Sequence, residues 1–107
     1  MNNIYNNYLF NYKRRKSVPV SIGDSVIGGD NPIRIQSMTT SDTMNTIATV
    51  EEAIRMINSG SEYIRITAPS INEAKNLQNI KKELKKRGFN VPLIADIHLT
   101  PNAAEIA

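Results

Sequence analysis

Apolar and polar positions alternate with two different periods over most of the chain. Short β-branched runs end in polar residues within three segments, NPIRIQSMTTSDT (residues 31–43), EYIRIT (62–67) and PLIADIH (92–98). Longer segments with the spacing of an amphipathic helix follow each of the first two, and a helix begins after the third. This order of strand, helix, strand, helix, strand and helix predicts a parallel sheet with helical crossovers.

Each of the two longer segments carries one apolar stripe on helical spacing. The stripes comprise Val50, Ala53, Ile54 and Ile57 in the first helix and Ala74, Leu77, Ile80 and Leu84 in the second. Lysines occupy the opposite face of the second helix. Each helix can therefore cover one face of the sheet and turn its polar side to water.

Capping signals predict where the two helices begin. Thr49 with Glu52 and Ser70 with Glu73 both fit the capping box, in which a hydroxyl and a carboxylate each accept from an otherwise unpaired backbone N–H.

Further signals mark the two helix ends and the start of a third helix. Gly60 and Gly88 occupy the positions of left-handed C-caps. Thr100 before Pro101 predicts a third N-cap, with proline at the first helical position.

The segment VPVSIGDSVIGG (residues 18–29) has two short β-branched runs around Gly23 and Asp24, which predicts a hairpin with a tight turn. With this hairpin, the chain has the fold class α/β and fits the first three β/α units of a TIM-type eight-stranded (β/α)8 barrel. Three strands alone would leave one sheet face and both edges uncovered. A doubly wound open sheet is the alternative, although no glycine-rich fingerprint follows the first strand.

Composition limits what the segment can do. It has 107 residues, 40% of them hydrophobic, and no cysteine, so it contains no disulfide and no thiolate ligand for a metal or a cluster. Residues 1–15 include an Asn- and Tyr-rich stretch without periodicity, and we predict a flexible arm there, with residues 16–107 forming the first part of a barrel domain. No apolar run approaches the ~20 residues of a membrane span. We expect a cytoplasmic protein without membrane contact.

Positive charge is modest. The net charge is +3, and the basic residues cluster at 13–16 and on the second helix. Clusters of this kind are usually solvated surface, so we predict no nucleic-acid partner.

Chemistry is expected where the strands end. Alternation along the second strand puts Tyr63, Arg65 and Thr67 on one face and Ile64 with Ile66 on the other, under the helices. Arg65 should then point into the barrel. A guanidinium there needs an anion, which is either a protein carboxylate in a structural salt bridge or a bound phosphate.

Asp96 and His98 share one face at the end of the third strand. Histidine is the side chain most easily tuned to proton transfer near neutral pH, and a neighbouring carboxylate can set its tautomer. A purely structural histidine is the alternative.

Residues 36–43 are rich in hydroxyl groups. These groups can bind phosphate oxygens, or they can form the local side-chain to backbone bonds of an ordinary polar loop. Gln36 and Thr39 are the two candidates that we select here.

The three segments, in this order and at these separations, closely resemble the N-terminal part of the 4-hydroxy-3-methylbut-2-enyl diphosphate synthases. These enzymes are iron–sulfur reductases of the non-mevalonate (methylerythritol phosphate) isoprenoid pathway. The resemblance runs from Tyr12 to Ala107 and is nearest to the long, three-domain form. It covers only the start of that family's first domain.

The resemblance implies a function for the intact protein, the reduction of 2-C-methyl-D-erythritol 2,4-cyclodiphosphate to 4-hydroxy-3-methylbut-2-enyl diphosphate. It implies that Arg65 binds the cyclic diphosphate and that Asp96 and His98 lie in the substrate pocket, where we expect them to be catalytic. From the hydroxyl-rich segment and the strand alternation, we also expect Gln36, Thr39 and Thr67 to bind the substrate. The resemblance also implies a 4Fe-4S cluster held outside this segment by cysteines and a glutamate, with reduced ferredoxin or flavodoxin as the electron donor. A homodimer is compatible with this assignment. We expect residues 1–107 alone to be inactive.

Two other interpretations stay open at this point. One is a different phosphate-binding barrel enzyme, such as a pterin-binding synthase. The other is a barrel remnant or interaction module without catalytic activity.

Overall fold

A computed structural model describes residues 15–107. The predicted arm, residues 1–15, lies outside this range except for Arg15, so its structure and the proposed domain boundary stay predictions. The chain divides into two compact units between Ile33 and Arg34.

The first unit contains the predicted hairpin. Strands β1 (Val20–Ile22) and β2 (Ser25–Ile27) pair antiparallel, with Val20 opposite Ile27 and a turn at Gly23 and Asp24. The hairpin prediction is confirmed.

The second unit alternates strands and helices as predicted. Its elements are β3 (Gln36–Met38), α1 (Thr46–Asn58), β4 (Tyr63–Thr67), α2 (Ile71–Lys86), β5 (Leu93–Asp96) and α3 (Pro101–Ile106). The strands form one parallel sheet in the order β3-β4-β5. The α/β class with βαβ units is confirmed. Within the described residues, no helix has both the length and the apolar character needed to cross a lipid bilayer.

The core lies between one face of this sheet and the helices. Ile64 and Ile66 of β4 are completely buried there, and burial of each such side chain contributes about 1.5–3 kcal/mol. The predicted alternation along β4 is confirmed, because Arg65 between them stays partly exposed. The remaining buried apolar side chains of the core are Val50, Ala53, Ala68, Ala74, Leu77, Ile80, Leu84, Val91 and Ala103.

The capping box predicted at Thr49 is wrong. Helix α1 begins at Thr46, and its N-cap is Asn45, whose Oδ1 accepts a hydrogen bond from Ala48 N at 3.1 Å. Thr49 is a buried residue of the helix, and its hydroxyl donates to the carbonyl of Asp42 at 3.0 Å. Asparagine caps a free backbone N–H as well as threonine does. Asn45 comes before Thr49 in the chain, so the helix begins after Asn45.

The start of α2 is confirmed, but not its reciprocal capping. Ser70 is the N-cap residue, as predicted, yet its side chain makes no capping bond to the backbone. Its hydroxyl instead bonds directly to the carboxylate of Glu73.

The predicted helix ends are confirmed. Gly60 and Gly88 directly follow the C-cap residues of α1 and α2 and have φ angles of 114° and 89°. Side chains other than hydrogen rarely tolerate positive φ, which explains glycine at both positions. Thr100 is the N-cap of α3, and Pro101 is its first residue.

Candidate functional site

The sheet face opposite the core brings several predicted site residues together. Thr67 pairs in register with Asp96, and Arg65 lies between Met38 and Ile94. Register partners in a parallel sheet point to the same side, so these five side chains share one face. Arg65, Thr67 and Asp96 are therefore neighbours at or near the carboxyl ends of β4 and β5.

Asp96 joins the two basic residues of this site. Its Oδ1 accepts from Arg65 Nη2 at 3.1 Å and from His98 Nε2 at 2.8 Å. Asp96 is only 8% exposed, whereas the side chains of Arg65 and His98 are 41% and 61% exposed. One buried carboxylate oxygen thus holds two side chains that reach solvent. The salt bridge considered for Arg65 is present, and its partner is Asp96. The sequence placed Asp96 and His98 on one face, and the structure shows in addition that they bond to each other.

These contacts keep Asp96 ionised. The hydrogen bond from Arg65 is the main cause that lowers the pKa of Asp96 below its ordinary value of 3.8. Burial opposes this change, and the hydrogen bond from His98 and the positive charge of Arg65 add to the lowering.

The lowered pKa of Asp96 makes the stability of the chain depend on pH. A carboxylate with a lower pKa in the folded state stabilises that state above the unfolded pKa, and the contribution is lost as the pH falls through the folded value. We expect Asp96→Asn to be less stable than the native chain at neutral pH, and the difference to shrink below pH 3.8. Urea unfolding of both 107-residue chains between pH 2 and pH 7 measures this difference. A difference that does not change with pH would contradict the ion pair.

Two buried polar atoms of neighbouring residues have no hydrogen-bond partner among the described residues. They are Arg65 Nε and the hydroxyl of Thr39, and Thr39 itself is 5% exposed. Thr39 N donates to Arg65 O at 3.0 Å, so the two residues are neighbours in the sheet. Thr39 follows Met38, the register partner of Arg65, so its side chain lies on the opposite face of the sheet. An unsatisfied buried polar group costs about 1–3 kcal/mol.

Among residues 15–107, the hydroxyl of Tyr63 is a third buried atom without a hydrogen-bond partner. It lies on the same face of β4 as Arg65, two residues nearer the start of the strand.

Most hydroxyl groups of residues 36–43 serve the loop itself. Glu52 of α1 accepts from Thr40 N at 2.9 Å, Thr40 Oγ1 at 2.8 Å and Ser41 N at 2.9 Å. Thr43 donates to the carbonyl of Thr67 at 2.6 Å. These groups are therefore bound by protein, but by Glu52 and Thr67 rather than by the local backbone that the ordinary loop interpretation expected. Among the described residues, the hydroxyl of Thr39 has no partner.

Glu52 was assigned to a helix cap by its sequence, and the structure gives it a different role. Its partial burial raises the pKa, but the hydrogen bonds from Ser41 and Thr40 outweigh that effect and lower it. The carboxylate thus acts as an internal anion that fixes the loop between β3 and α1. Its partners lie 11 and 12 residues away, and no local motif in the sequence marks such a contact.

We expect Glu52→Ala to loosen this loop. Two backbone N–H groups and one hydroxyl lose their acceptor, which costs about 1–3 kcal/mol and leaves Thr39 less fixed beside Arg65. Hydrogen exchange of Thr40 and Ser41 amides measures the effect. Glu51→Ala, at an exposed neighbouring position of the same helix, is the control and should leave exchange unchanged.

Two predicted site residues are not brought to this group, Thr39 because its side chain lies on the opposite face of the sheet, and Gln36 because of its place along the strand. Gln36 is the first residue of β3 and pairs with Tyr63 at the start of β4, whereas Asp96 pairs with Thr67 at the end of β4. Four residues of strand, about 13 Å, separate these two rows.

The described residues contain no group of three or more His, Cys, Asp or Glu side chains that is able to hold a metal ion. Together with the absence of cysteine from the sequence, this means that the residues of this segment do not fit an iron–sulfur cluster.

Comparison with known proteins decides the family. The family model of the GcpE TIM-barrel domain matches residues 17–107. The chain belongs to the GcpE family. It is 55% identical over 98 residues to the 4-hydroxy-3-methylbut-2-en-1-yl diphosphate synthase (flavodoxin) of Parabacteroides distasonis, which covers 92% of this chain. The synthases of the same name from Phocaeicola vulgatus and Leptospira interrogans are 52% and 49% identical over 92% and 97% of the chain.

The family resemblance predicted from the three strand-end segments is confirmed. This GcpE segment spans only 16% of the length of each of these three relatives. The match is to a TIM-barrel domain, and the βαβ units described above are the corresponding architecture within this segment.

Proposed function

We propose that this segment forms part of the diphosphate-binding site of a 4-hydroxy-3-methylbut-2-enyl diphosphate synthase. The intact protein would reduce 2-C-methyl-D-erythritol 2,4-cyclodiphosphate in isoprenoid biosynthesis, as an oxidoreductase. The observation that carries the proposal is the guanidinium of Arg65, which Asp96 holds through Nη2 while the side chain stays 41% exposed.

The diphosphate would bind at the guanidinium of Arg65, through N–H groups that Asp96 does not occupy. Thr39 is a neighbour of Arg65 in the sheet, but its hydroxyl lies on the opposite face and would not reach the same phosphate. A charge-assisted hydrogen bond is about twice as strong as a neutral one, so a phosphate oxygen is a better partner for this guanidinium than a neutral acceptor. Thr67, beside Asp96 in the sheet, lies close enough to contribute to the same pocket.

His98 is a group at this site that can exchange a proton with bound substrate. Its contact with Asp96 through Nε2 places the ring proton on that nitrogen, and Nδ1 remains available to accept or return a proton. The ring is largely exposed on the side away from the carboxylate. We propose that His98 exchanges a proton through Nδ1 during ring opening.

The electrons would come from outside this segment, because its residues do not fit a cluster. We propose that a 4Fe-4S cluster is held elsewhere in the intact protein. The related synthases are named for flavodoxin, so we propose flavodoxin as the electron donor, with ferredoxin as the alternative. A cytoplasmic location and a homodimer remain predictions.

Family membership favours this function over a pterin-binding synthase or another phosphate-binding barrel. The partly exposed guanidinium and imidazole that Asp96 holds favour a binding site over an interaction module without catalytic activity.

A chimera tests the proposal directly. In this chimera, residues of this chain replace the matched segment of the Parabacteroides distasonis synthase, which is 55% identical over 98 residues. We expect the purified, cluster-loaded chimera to reduce the cyclic diphosphate with reduced flavodoxin, and the isolated 107-residue chain to give no turnover. A folded, cluster-loaded chimera without turnover, or turnover by the isolated chain, would contradict the proposal.

A further inference from the structure

We infer that Asp96 is a positioning residue, which acts on the substrate only through Arg65 and His98. The inference rests on the proposed function and assigns Asp96 a different role from the catalytic one that its place on the strand suggests. The two basic side chains are then the groups that touch the substrate.

Burial and geometry carry the inference. Asp96 is 8% exposed, and a single oxygen, Oδ1, accepts from both Arg65 and His98. The surfaces that remain open to a ligand belong to the guanidinium and the imidazole, not to the carboxylate. An anionic substrate would also be repelled by a carboxylate in direct contact, and it is attracted by the cation in front of that carboxylate.

The carboxylate itself is fixed by the sheet. Asp96 ends β5, and its carbonyl accepts from Ala68 N at 2.9 Å, which ties the ends of β4 and β5 together. Arg65 is also flanked by its register partners, Met38 in β3 and Ile94 in β5. Asp96 therefore presents both partners from a rigid position, as a preorganised site requires.

Each partner is held in a way that leaves part of its surface to a ligand. Arg65 uses Nη2 for Asp96, and its side chain remains 41% exposed. His98 uses Nε2 for Asp96 and keeps Nδ1. Loss of the carboxylate should consequently affect binding through Arg65 and proton transfer through His98.

Double-mutant cycles in the chimera test this division. We expect Asp96→Asn to raise KM for the cyclic diphosphate about tenfold, the order expected for one charged hydrogen bond, and to lower kcat roughly tenfold or more through His98. In an Arg65→Gln background, Asp96→Asn should raise KM no further. In a His98→Asn background, it should lower kcat no further. Glu83→Gln is the matched control, because Glu83 also pairs with an arginine, Arg87, on the outer helix α2.

Three results would overturn the inference. One is an additive effect of Asp96→Asn on KM in the Arg65→Gln background, which is expected if the carboxylate touches the substrate. Another is an undiminished effect on kcat in the His98→Asn background. The last is a lower melting temperature of Asp96→Asn with unchanged KM and kcat per folded molecule, which is the signature of a purely structural residue.

The failure of the inference differs from the failure of the proposed function. If Arg65→Gln leaves KM unchanged, the diphosphate site itself is wrong. If Arg65→Gln raises KM but the Asp96 effects add, only the positioning role is wrong. If Asp96→Asn does not fold, Asp96→Glu takes its place, because it keeps the charge at a displaced position. KM and kcat of Asp96→Glu are then measured in the same two double-mutant cycles.

Discussion

Arg65→Gln in the chimera is expected to raise KM for the cyclic diphosphate roughly 10- to 100-fold, because a hydrogen bond to a charged group is worth about 1.5–3 kcal/mol. Glutamine can still reach toward Asp96, but it has neither the positive charge nor an Nε–H at the buried position. Steady-state kinetics with reduced flavodoxin measures KM and kcat separately. The rise should appear mainly in KM, since the contact exists in the bound substrate as well as in the transition state.

Two variants make this test specific. Arg65→Lys keeps the charge but loses the planar donor set, so we expect its KM to lie between those of the native chimera and Arg65→Gln. Arg55→Gln changes an exposed arginine of α1 and should leave KM unchanged. Equal effects at both arginines, or none at Arg65, would mean that the guanidinium is only a structural partner of Asp96.

Ile66→Ala is expected to destabilise the chain by about 2–5 kcal/mol, the usual loss for a large core side chain replaced by alanine. Ile66 is completely buried against the helices and lies between Arg65 and Thr67, so the cavity opens directly beneath the site. The free energy of unfolding of an ordinary domain is only about 0.05–0.15 kcal/mol per residue. Urea unfolding of the 107-residue chain, followed by circular dichroism, measures the loss.

The control is an isoleucine of the same size at the surface. Ile47 of α1 is 51% exposed, and Ile47→Ala should change the free energy of unfolding by no more than about 0.5 kcal/mol. A similar loss for both substitutions would show that the core does not lie where β4 meets the helices.

The side on which Arg65 lies was predictable because it depends on local chemistry. Two-residue alternation needs only a strand, and the buried Ile64 and Ile66 set its phase. The helix stripes and the glycine positions are equally local. The family resemblance followed from the strand-end segments, which combine such local patterns with their separations along the chain.

Contacts between distant residues were not predictable in this way. The capping interpretation of Glu52 failed because its partners, Thr40 and Ser41, reach it only when α1 folds back on the preceding loop. The sequence suggested that Asp96 and His98 share a face, but not that one oxygen of Asp96 holds Arg65 as well.

The position of strand β3 along the chain was also not predictable from the sequence. The apolar run before Gln36 suggested a strand that ends there, whereas β3 begins at Gln36. Ile35 in that run is exposed, and its carbonyl accepts from Glu62 N and Tyr63 N just before the ladder starts. A three-residue strand has too few side chains to fix its register by pattern alone, so Gln36 lies at the wrong end for the site.

A crystal structure of the chimera with bound cyclic diphosphate tests the central claim most directly. We expect phosphate oxygens within hydrogen-bonding distance of the Arg65 guanidinium, with Asp96 still between Arg65 and His98. A diphosphate bound away from this sheet face, without contact to Arg65, would contradict the proposal.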